Sequence, residues 1–349
     1  MRTLRLLLIC LTAVFLAGCG EPDIRSEAEA GDPVAQCALG SMYDSGKGAP
    51  EDLAEAAKWF RKAADQGLAQ AQYNLGWMYY NGRGVPKDLA EAAKWFRKAA
   101  DQGDAIVQSE LALMYYFGDG VEKDLAEAVK WYRKAADKGD AVAQSNLGFM
   151  YENGEGVPKD LAEAVKWFRK AADQGDAEAQ NYFGLMYANG RGVPKDDAEA
   201  AKWYRKAADR GLAVAQFNLG VMCHLGEGVP KDLAEAVKWY RKAAGQGDAV
   251  AQFNLALKYD KGEGVAKDEA EAYAWYNLAA VSDDDARKRR DELEKTLTPE
   301  QKARAQQRST ELHKEIEEGR ENLWSRLERQ RDEKCIWNQI EARKKAAGK

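Results

Sequence analysis

Few residues of this chain have the types and spacing that catalysis or metal binding requires. Its two histidines, His224 and His313, have no cysteine or carboxylate partners at metal-ligand spacing, so each is expected to be a surface residue. No Ser-His-Asp or Cys-His arrangement is evident. A Gly-x-Gly pair recurs, but it follows predicted helices rather than strands and lacks a third glycine, so turns explain it better than phosphate binding. The sequence therefore predicts no catalytic residue, no metal and no cofactor.

One cysteine near the N-terminus is the exception, because its surroundings direct covalent modification. Arg2 and Arg5 precede an apolar run over 6–16, and small residues follow, as in a signal peptide. The Leu-Ala-Gly-Cys stretch at 16–19 resembles the bacterial lipobox. That resemblance implies cleavage before Cys19 and attachment of acyl chains, such as palmitate, to its sulfur and its new α-amine. An ordinary secretory signal with a chance cysteine is the alternative.

The N-terminal region is thus expected to be a lipoprotein signal peptide over 1–18, followed over 19–30 by the lipidated cysteine and a short tether. The apolar run is shorter than the ~20 residues of a membrane-spanning helix. Several acyl chains would hold the protein stably, since one chain alone binds only marginally. Gly20, in place of aspartate, resembles an outer-membrane sorting signal. We therefore expect a protein of the bacterial cell envelope that is anchored by lipid and faces the periplasm.

Tryptophans recur every 36 residues through most of the chain, and this period predicts the architecture. They are Trp59, Trp95, Trp131, Trp167, Trp203, Trp239 and Trp275. A fixed period of this length is typical of a solenoid, in which each repeat is one supersecondary unit that buries its apolar face against its neighbours. We predict an all-α, right-handed solenoid of seven helical hairpins over 31–282.

The segment 67–102 shows how one repeat is expected to fold. Apolar residues over 68–80 follow helical spacing and predict the first helix, which ends at a glycine. After a loop, Asp88 is the predicted N-cap of the second helix, and Glu91 occupies the reciprocal position of a capping box. An apolar stripe of this second helix is expected to be buried, with Trp95 at its edge.

The residues that the repeats share resemble the Sel-one-like repeat (SLR), a relative of the tetratricopeptide repeat with a longer loop between its helices. In the unit above they are Ala71-Gln72, Leu75-Gly76, Met78-Tyr79, Gly82-Arg83-Gly84-Val85, Asp88, Ala92, Trp95-Phe96 and Ala99-Ala100. All seven units match, with modest departures such as Ala112 and Ala256 in place of the glycine. The resemblance implies an adaptor that binds other proteins, often within membrane-associated complexes.

The residues that differ between repeats lie on the first helices and predict a binding surface. If the hairpins pack as in tetratricopeptide repeats, these residues line a concave groove that holds a protein segment. Side-chain amides can bind an extended backbone, and aromatic rings add contact area. The predicted groove residues are Tyr73, Asn74, Trp77, Tyr80, Asn81, Glu110, Tyr116, Phe117, Asn146, Phe149, Asn181, Tyr182, Phe217 and Asn218. Packing between repeats is the alternative role for each aromatic residue.

The last part of the chain, 283–349, has a different character. Ser282 is the expected cap of one helix, and Thr298 begins the Thr-Pro-Glu-Gln start signal of another. Apolar residues such as Leu312 and Ile316 are sparse and lie among many charges. We predict a C-terminal capping helix followed by a solvated helical tail, with partner binding by the tail as an alternative.

These observations predict a membrane-anchored interaction scaffold that binds an unidentified protein or peptide in its groove. The formal net charge of −5 disfavours nucleic-acid binding, which needs a basic face. An SLR enzyme that acts on β-lactams or peptidoglycan is the alternative. The resemblance weakens it, because enzymes of that cysteine-rich type have a disulfide pair in each repeat and this chain does not. A purely structural spacer is a third possibility.

Overall fold

The computed structural model describes residues 24–321, and within that range the chain forms helices and no strands. Its described residues fall into two units, one of 24–107 with 117–122 and one of 108–116 with 123–321. The predicted signal peptide, Cys19 and the end of the C-terminal segment lie outside the described residues. No helix between 24 and 321 is long and apolar enough to cross a membrane.

The first unit contains a short N-terminal helix and two hairpins. Its helices are α1 (Ile24–Glu29), α2 (Pro33–Ser45), α3 (Leu53–Asp65), α4 (Ala69–Asn81) and α5 (Leu89–Asp101). Hairpin 1 is α2 with α3, and hairpin 2 is α4 with α5. The next helix, α6 (Ala105–Phe117), has residues in both units.

The second unit contains the remaining hairpins and the C-terminal helices. Its helices are α7 (Leu125–Asp137), α8 (Ala141–Asn153), α9 (Leu161–Asp173), α10 (Ala177–Asn189), α11 (Asp197–Asp209), α12 (Ala213–Leu225), α13 (Leu233–Ala244), α14 (Ala249–Lys261), α15 (Glu269–Ala279) and α16 (Asp284–Glu294). Hairpins 3 to 7 are the successive pairs from α6–α7 to α14–α15. A further helix begins at 299 and extends to 321. The predicted all-α solenoid of seven helical hairpins is confirmed.

The hairpins begin and end as their local sequence predicts, with one correction. The Asp88 carboxylate accepts from the Glu91 backbone N–H at 2.9 Å, as an N-cap should. The reciprocal half of the predicted capping box is wrong, because the Asp88 N–H donates to the Tyr79 carbonyl at 2.9 Å. The Glu91 carboxylate instead accepts from the indole of Trp95 at 2.9 Å. Trp95 is buried rather than at the edge of the stripe.

Small residues let the helices and loops approach closely. A Cβ atom on Gly148 of α8 would lie 2.9 Å from the ring of Phe168 on α9, so the glycine makes room for that ring. The loop glycine Gly192 has a φ of +72°, and a Cβ there would lie 2.5 Å from the carbonyl oxygen of Leu161 in the preceding hairpin. The recurring Gly-x-Gly is therefore both a turn and a contact between neighbouring hairpins.

The C-terminal helices pack on hairpin 7 more extensively than the sequence indicates. Thr298 and Gln301 form the predicted reciprocal capping box, with hydrogen bonds of 2.9 and 3.2 Å. The preceding helix is capped by Asp283 rather than by Ser282. Leu312 and Ile316 are buried in the core of the second unit, so the prediction of a solvated helix from this point is wrong.

Two arginines of the same helix hold it against α15. Arg304 forms an ion pair with Asp268 at 2.5 Å, and Arg308 forms one with Glu271 at 3.3 Å. Apolar burial on one side of the helix and these ion pairs together make the start of the C-terminal segment a cap for the repeats.

Candidate functional site

The predicted groove residues of hairpin 2 form an aromatic cluster on α4. Trp77 makes edge-on contacts with Tyr73 and Tyr80, with ring centroids 6.2 and 5.2 Å apart. The same indole lies 5.7 Å from the ring of Phe96 on the second helix of the hairpin. All three α4 rings are half-buried, so each has one side in the hairpin and one side accessible. The cluster therefore serves packing and also presents aromatic surface.

A second aromatic group lies on the first helices of hairpins 4 and 5. Phe149 meets Tyr182 edge-on at 4.3 Å and Phe168 at 4.9 Å. Phe217, on hairpin 6, tilts over Tyr240 at 5.8 Å. Phe149, Tyr182 and Phe217 are all half-buried. We call the accessible surface of these rings and of Phe253 on hairpin 7 the first-helix face of the second unit.

The asparagines divide into buried and accessible groups. Asn74 is only 8 % exposed and Asn181 only 4 %, so the prediction that their amides face a bound backbone is wrong. The Asn181 side-chain oxygen accepts from Asn218 at 3.0 Å, and the Asn74 side-chain oxygen accepts from Gln70 at 2.9 Å. These amides bond to neighbouring side chains because hairpin stacking encloses them. Asn146 and Asn218 are half-buried, and Asn81 is exposed.

Two further predicted groove residues, Phe117 and Glu110, differ in how much of the side chain solvent reaches. Phe117 is 61 % exposed and is among the most accessible large apolar residues in the described range. Glu110 is half-buried. Burial, and to a smaller extent the charge of Asp140, raises the pKa of the Glu110 carboxyl above its ordinary value.

Neighbouring hairpins are joined by a set of polar links that was not predicted from the sequence. A residue near the end of one first helix bonds to a residue 39 positions later, in the loop of the next hairpin. The pairs are Asp44 with Arg83 at 3.2 Å, Tyr80 with Asp119 at 3.3 Å, Tyr116 with Glu155 at 2.8 Å and Glu152 with Arg191 at 2.8 Å. We call these end-to-loop links. In each pair, residues that can form a hydrogen bond or an ion pair lie 39 positions apart, and this recurrence in the sequence could have predicted the links.

These links change the role of two predicted groove residues. Tyr80 and Tyr116 use their hydroxyl groups to join hairpins, so only their rings are available to a partner. Their substitution would affect the stack as well as any binding. Phe149 and Phe217 have no hydroxyl group, and the Tyr182 hydroxyl forms no such link among the described contacts.

Comparison with known proteins identifies the repeats. The Sel1 repeat model matches seven consecutive segments, 33–68, 69–104, 105–140, 141–176, 177–212, 213–248 and 249–281. The chain belongs to the Sel1 repeat family. This repeat fold is a protein-interaction scaffold, and such scaffolds are generally non-enzymatic.

Two solved structures illustrate the similarity. A Sel1 repeat protein from Oxalobacter formigenes is 38 % identical over 77 % of this chain and 78 % of its own, with a TM-score of 0.70. A protective antigen with an SLR fold, present in uropathogenic Escherichia coli strains, is 31 % identical over 88 % of each chain, with a TM-score of 0.49. A search of curated proteins gave no match.

The second helices of the Sel1 hairpins present a more uniform surface. A lysine lies over the tryptophan three residues earlier in six hairpins, with Nζ 3.5 to 4.0 Å from the ring centroid. The pairs are Lys62 with Trp59, Lys98 with Trp95, Lys134 with Trp131, Lys170 with Trp167, Lys206 with Trp203 and Lys242 with Trp239. These lysines cover the indoles and take part in cation–π contacts, so this surface stabilises the hairpins.

One Sel1 hairpin contains a buried lysine at a position that is apolar in the other six. Lys258 of α14 stands where the other hairpins have methionine and is 3 % exposed. Its ammonium lies 2.6 Å from Glu263 and 3.1 Å from Nε2 of His224. The prediction that His224 is a surface residue is wrong, because it is half-buried beside the Lys258 ammonium. Burial and the charge of Lys258 lower the pKa of the His224 imidazole.

The described part of the chain has no cluster of metal ligands and no disulfide. No group of three or more potential metal ligands occurs between residues 24 and 321. Cys37 and Cys223 are buried free thiols.

Proposed function

We propose that this protein is a membrane-anchored scaffold whose first-helix face binds a segment of a partner protein. The main support is the row of half-buried rings at Phe149, Tyr182, Phe217 and Phe253. Such rings supply binding energy at a small entropic cost, because each has few rotatable bonds and is already held by packing.

The difference between the two helices of each hairpin supports the choice of this face. The second helices repeat the same Trp–Lys contacts, so adjacent hairpins present nearly the same chemistry. The first helices differ from hairpin to hairpin, with Phe149 replaced by Leu185 and then Val221. A surface that varies along the stack can distinguish one partner sequence from another, whereas a uniform surface cannot.

The anchor proposed for this scaffold is acylated Cys19, on the outer membrane and facing the periplasm. Helix α1 occupies Ile24–Glu29, so the tether is shorter than the predicted 19–30 segment. The residues from Gly20 to Asp23 extend ~14 Å at most, which would keep α1 and the first hairpin close to the lipid surface. We therefore expect the partner to be a protein of the same membrane or of the adjacent periplasm.

Removing two rings of the face tests the binding proposal. The chain from Gly20 onward, which has neither signal peptide nor lipid, captures a partner from a membrane fraction, and the purified partner is then titrated against the same chain with Phe149→Ala/Phe217→Ala. Interface anchors each contribute about 2 kcal/mol or more, so we expect affinity to fall at least 100-fold while helical content by circular dichroism is retained.

Arg169→Glu is the matched control, because Arg169 is an exposed residue of a second helix in the same unit. It should leave the affinity within about threefold of the parent, as is typical of a solvated charge outside an interface. Loss of binding in Arg169→Glu, with full binding by the double alanine variant, would place the site on the second helices.

The anchor has its own test, which does not depend on the partner. Expressed in bacteria with labelled palmitate, the parent chain should take up label and sediment with membranes. Cys19→Ser should take up no label and should retain its signal peptide. Normal labelling of the serine variant would refute lipidation at Cys19.

A further inference from the structure

A row of exposed valines runs along the starts of the first helices in the second unit. Val142, Val214 and Val250 are the second residues of α8, α12 and α14, and they are between 42 and 57 % exposed. Val214 and Val250 each lie three residues before a ring of the first-helix face, Phe217 or Phe253, and therefore on the same side of the helix. The valine row thus widens the first-helix face with apolar area that is open to solvent in the described part of the chain.

The described part of the chain ends beside this row. The helix that begins at 299 packs on α15, and its Arg320 guanidinium lies so close to Gly247 that a Cβ atom on that glycine would overlap it. Gly247 lies two residues before α14 begins at Ala249, and Val250 and Phe253 follow in the first turns of that helix. The chain beyond residue 321 therefore starts next to the hairpin-7 end of the first-helix face.

The 28 residues that follow, 322–349, have a composition that suits them to this surface. Two apolar motifs of the same form occur in them, Leu323-Trp324 with Leu327 and Ile336-Trp337 with Ile340. Tryptophan is enriched among the residues that anchor interfaces. Eight basic and four acidic side chains give the segment a net charge of +4, and because the whole chain carries −5, the rest of it carries −9. Apolar anchors and opposite charge therefore both match the segment to the repeats.

The segment 322–349 is long enough to cross the first-helix face. The first helices of successive hairpins are direct neighbours, since Phe149 meets Tyr182 at 4.3 Å and Asn218 bonds to Asn181 at 3.0 Å. Neighbouring packed helices lie about 8–10 Å apart, so the three steps from α14 to α8 amount to roughly 24–30 Å. A chain of this length would cover about 42 Å even if it were wholly helical.

We propose that residues 322–349 lie across the first-helix face of the same chain and that a partner must displace them. The valine row and the rings supply the apolar contacts. Glu178, which takes the valine position on α10 and is exposed, supplies an acid for the basic side chains of the segment. Weak contacts suffice, because a tethered segment has an effective concentration in the millimolar range. The docking stands independently of the proposed function, whereas displacement by a partner rests on it.

A photo-cross-linker on Cys335 tests the docking. The chain from Gly20 onward is labelled with benzophenone maleimide under native conditions, in which Cys37 and Cys223 are buried, and is then irradiated. Cross-linked peptides that contain Cys335 are identified by mass spectrometry. Cys335 is 14 residues beyond residue 321, which is about 21 Å along a helix and corresponds to two hairpin steps. We therefore expect cross-links to α10 or α12, at a yield that does not depend on protein concentration.

Removal of the two tryptophans of the segment shows whether these cross-links come from specific docking. Trp324→Ser/Trp337→Ser should lower the cross-link yield about fivefold or more, because interface energy is concentrated in such anchors. Gln330→Ser/Gln339→Ser is the matched control, since it adds two serines to the same segment and leaves both apolar motifs intact. Equal yields in the two variants would overturn the docking, as would cross-links confined to the second helices. A yield that rises with protein concentration would show binding to a second copy and would also overturn it.

Displacement by a partner has a separate readout. The purified partner from the binding experiment should bind Trp324→Ser/Trp337→Ser about tenfold more tightly than the serine control, as expected if the segment covers the face about nine-tenths of the time. Equal affinities would overturn the displacement and would leave the cross-linking result intact. If the chain captures no partner, the proposed function fails, while the cross-links still decide the docking.

Discussion

The first and second helices of each hairpin have opposite roles, and the comparison shows how the chain combines a regular stack with local variety. All seven second helices have an aspartate N-cap and a buried tryptophan. The indole donates to a glutamate in five of the seven hairpins, and a lysine lies over it in six. The first helices keep a buried glutamine, which follows an alanine in six hairpins and Val107 in hairpin 3, but they differ at their ends and on one face. The repeated helix thus contains the contacts that the hairpins share, and the variable helix contains the proposed binding surface.

The contacts of one residue from each class illustrate the difference. The Trp167 indole on α9 donates to Glu163 at 3.0 Å and lies beneath Lys170 at 3.9 Å. Phe149 on α8 contacts the rings of Phe168 and Tyr182 but keeps an accessible side.

The largest expected effect is therefore from a second helix. Trp167→Ala should lower the free energy of unfolding by about 3–5 kcal/mol, because it removes a buried ring and leaves a cavity. Phe149→Ala should cost clearly less, since part of its surface is already in water. Urea denaturation followed by circular dichroism measures both. A greater loss for Phe149→Ala would reverse the roles assigned to the two helices.

The second prediction extends the comparison to the C-terminal helix, which packs on α15 as another second helix would. Leu312→Ala should cost about 2 kcal/mol or more, as a buried leucine does when truncated. His313→Ala, at the adjacent exposed position, should change the unfolding free energy by about 0.5 kcal/mol at most. If both variants melt at the temperature of the parent, the helix does not cap the repeats.

The third prediction concerns the variable ends of the first helices. A double-mutant cycle with Glu152→Gln and Arg191→Gln should give a coupling energy of about 0.5–1 kcal/mol, because the arginine is partly exposed and solvent weakens the pair. The same cycle on Arg169 and Asp173, an exposed pair within one helix at 3.7 Å, should give a smaller value. Equal coupling would mean that the end-to-loop link contributes no more than an ordinary surface pair.

The smallest expected effect is a pH dependence at His224. Its pKa is lowered from an ordinary value of 6.5, so the unfolded chain binds the proton more readily than the folded one. Stability from this residue is therefore present above pH 6.5 and is lost as pH falls below it. The charged groups facing the imidazole are Lys258, Glu263, Lys231 and Lys261, with the hydroxyl of Tyr240 3.5 Å from Nδ1.

Thermal melts of the parent and His224→Asn between pH 7.5 and 5.5 measure this effect. The parent should lose stability more steeply than the variant, whose side chain does not titrate. Parallel pH profiles would show that protonation of His224 is not linked to folding. Glu263 titrates at lower pH, because its hydrogen bond and charge interaction with Lys258 lower its carboxyl pKa.

Most local signals were predictable from sequence because their two partners lie a few residues apart. The Asp88 cap and the Thr298–Gln301 capping box follow from short spacing along the chain, and the structure confirms both. The reciprocal bond of Glu91 was not predictable in this way, because the carbonyl of Tyr79 in the preceding helix competes for the same N–H.

Contacts between hairpins were harder to predict. Asn74 and Asn181 have the polarity of surface residues, and only the position of the adjacent hairpin encloses them. Tyr80 and Tyr116 were recognised as variable aromatic residues. Their bonds to Asp119 and Glu155 depend on a step from one hairpin to the next that the residue types do not specify.

The sequence by itself determined the all-α repeat class, the seven hairpins and most of their boundaries. With an unbroken 36-residue period and caps at fixed positions, a stack of helical hairpins is the arrangement that buries the apolar stripes. The tertiary structure alone decided which polar residues join hairpins, that Leu312 and Ile316 are buried and that Lys258 meets His224. Those outcomes depend on the distance and rotation between stacked helices, which side-chain packing sets and a one-dimensional pattern does not contain.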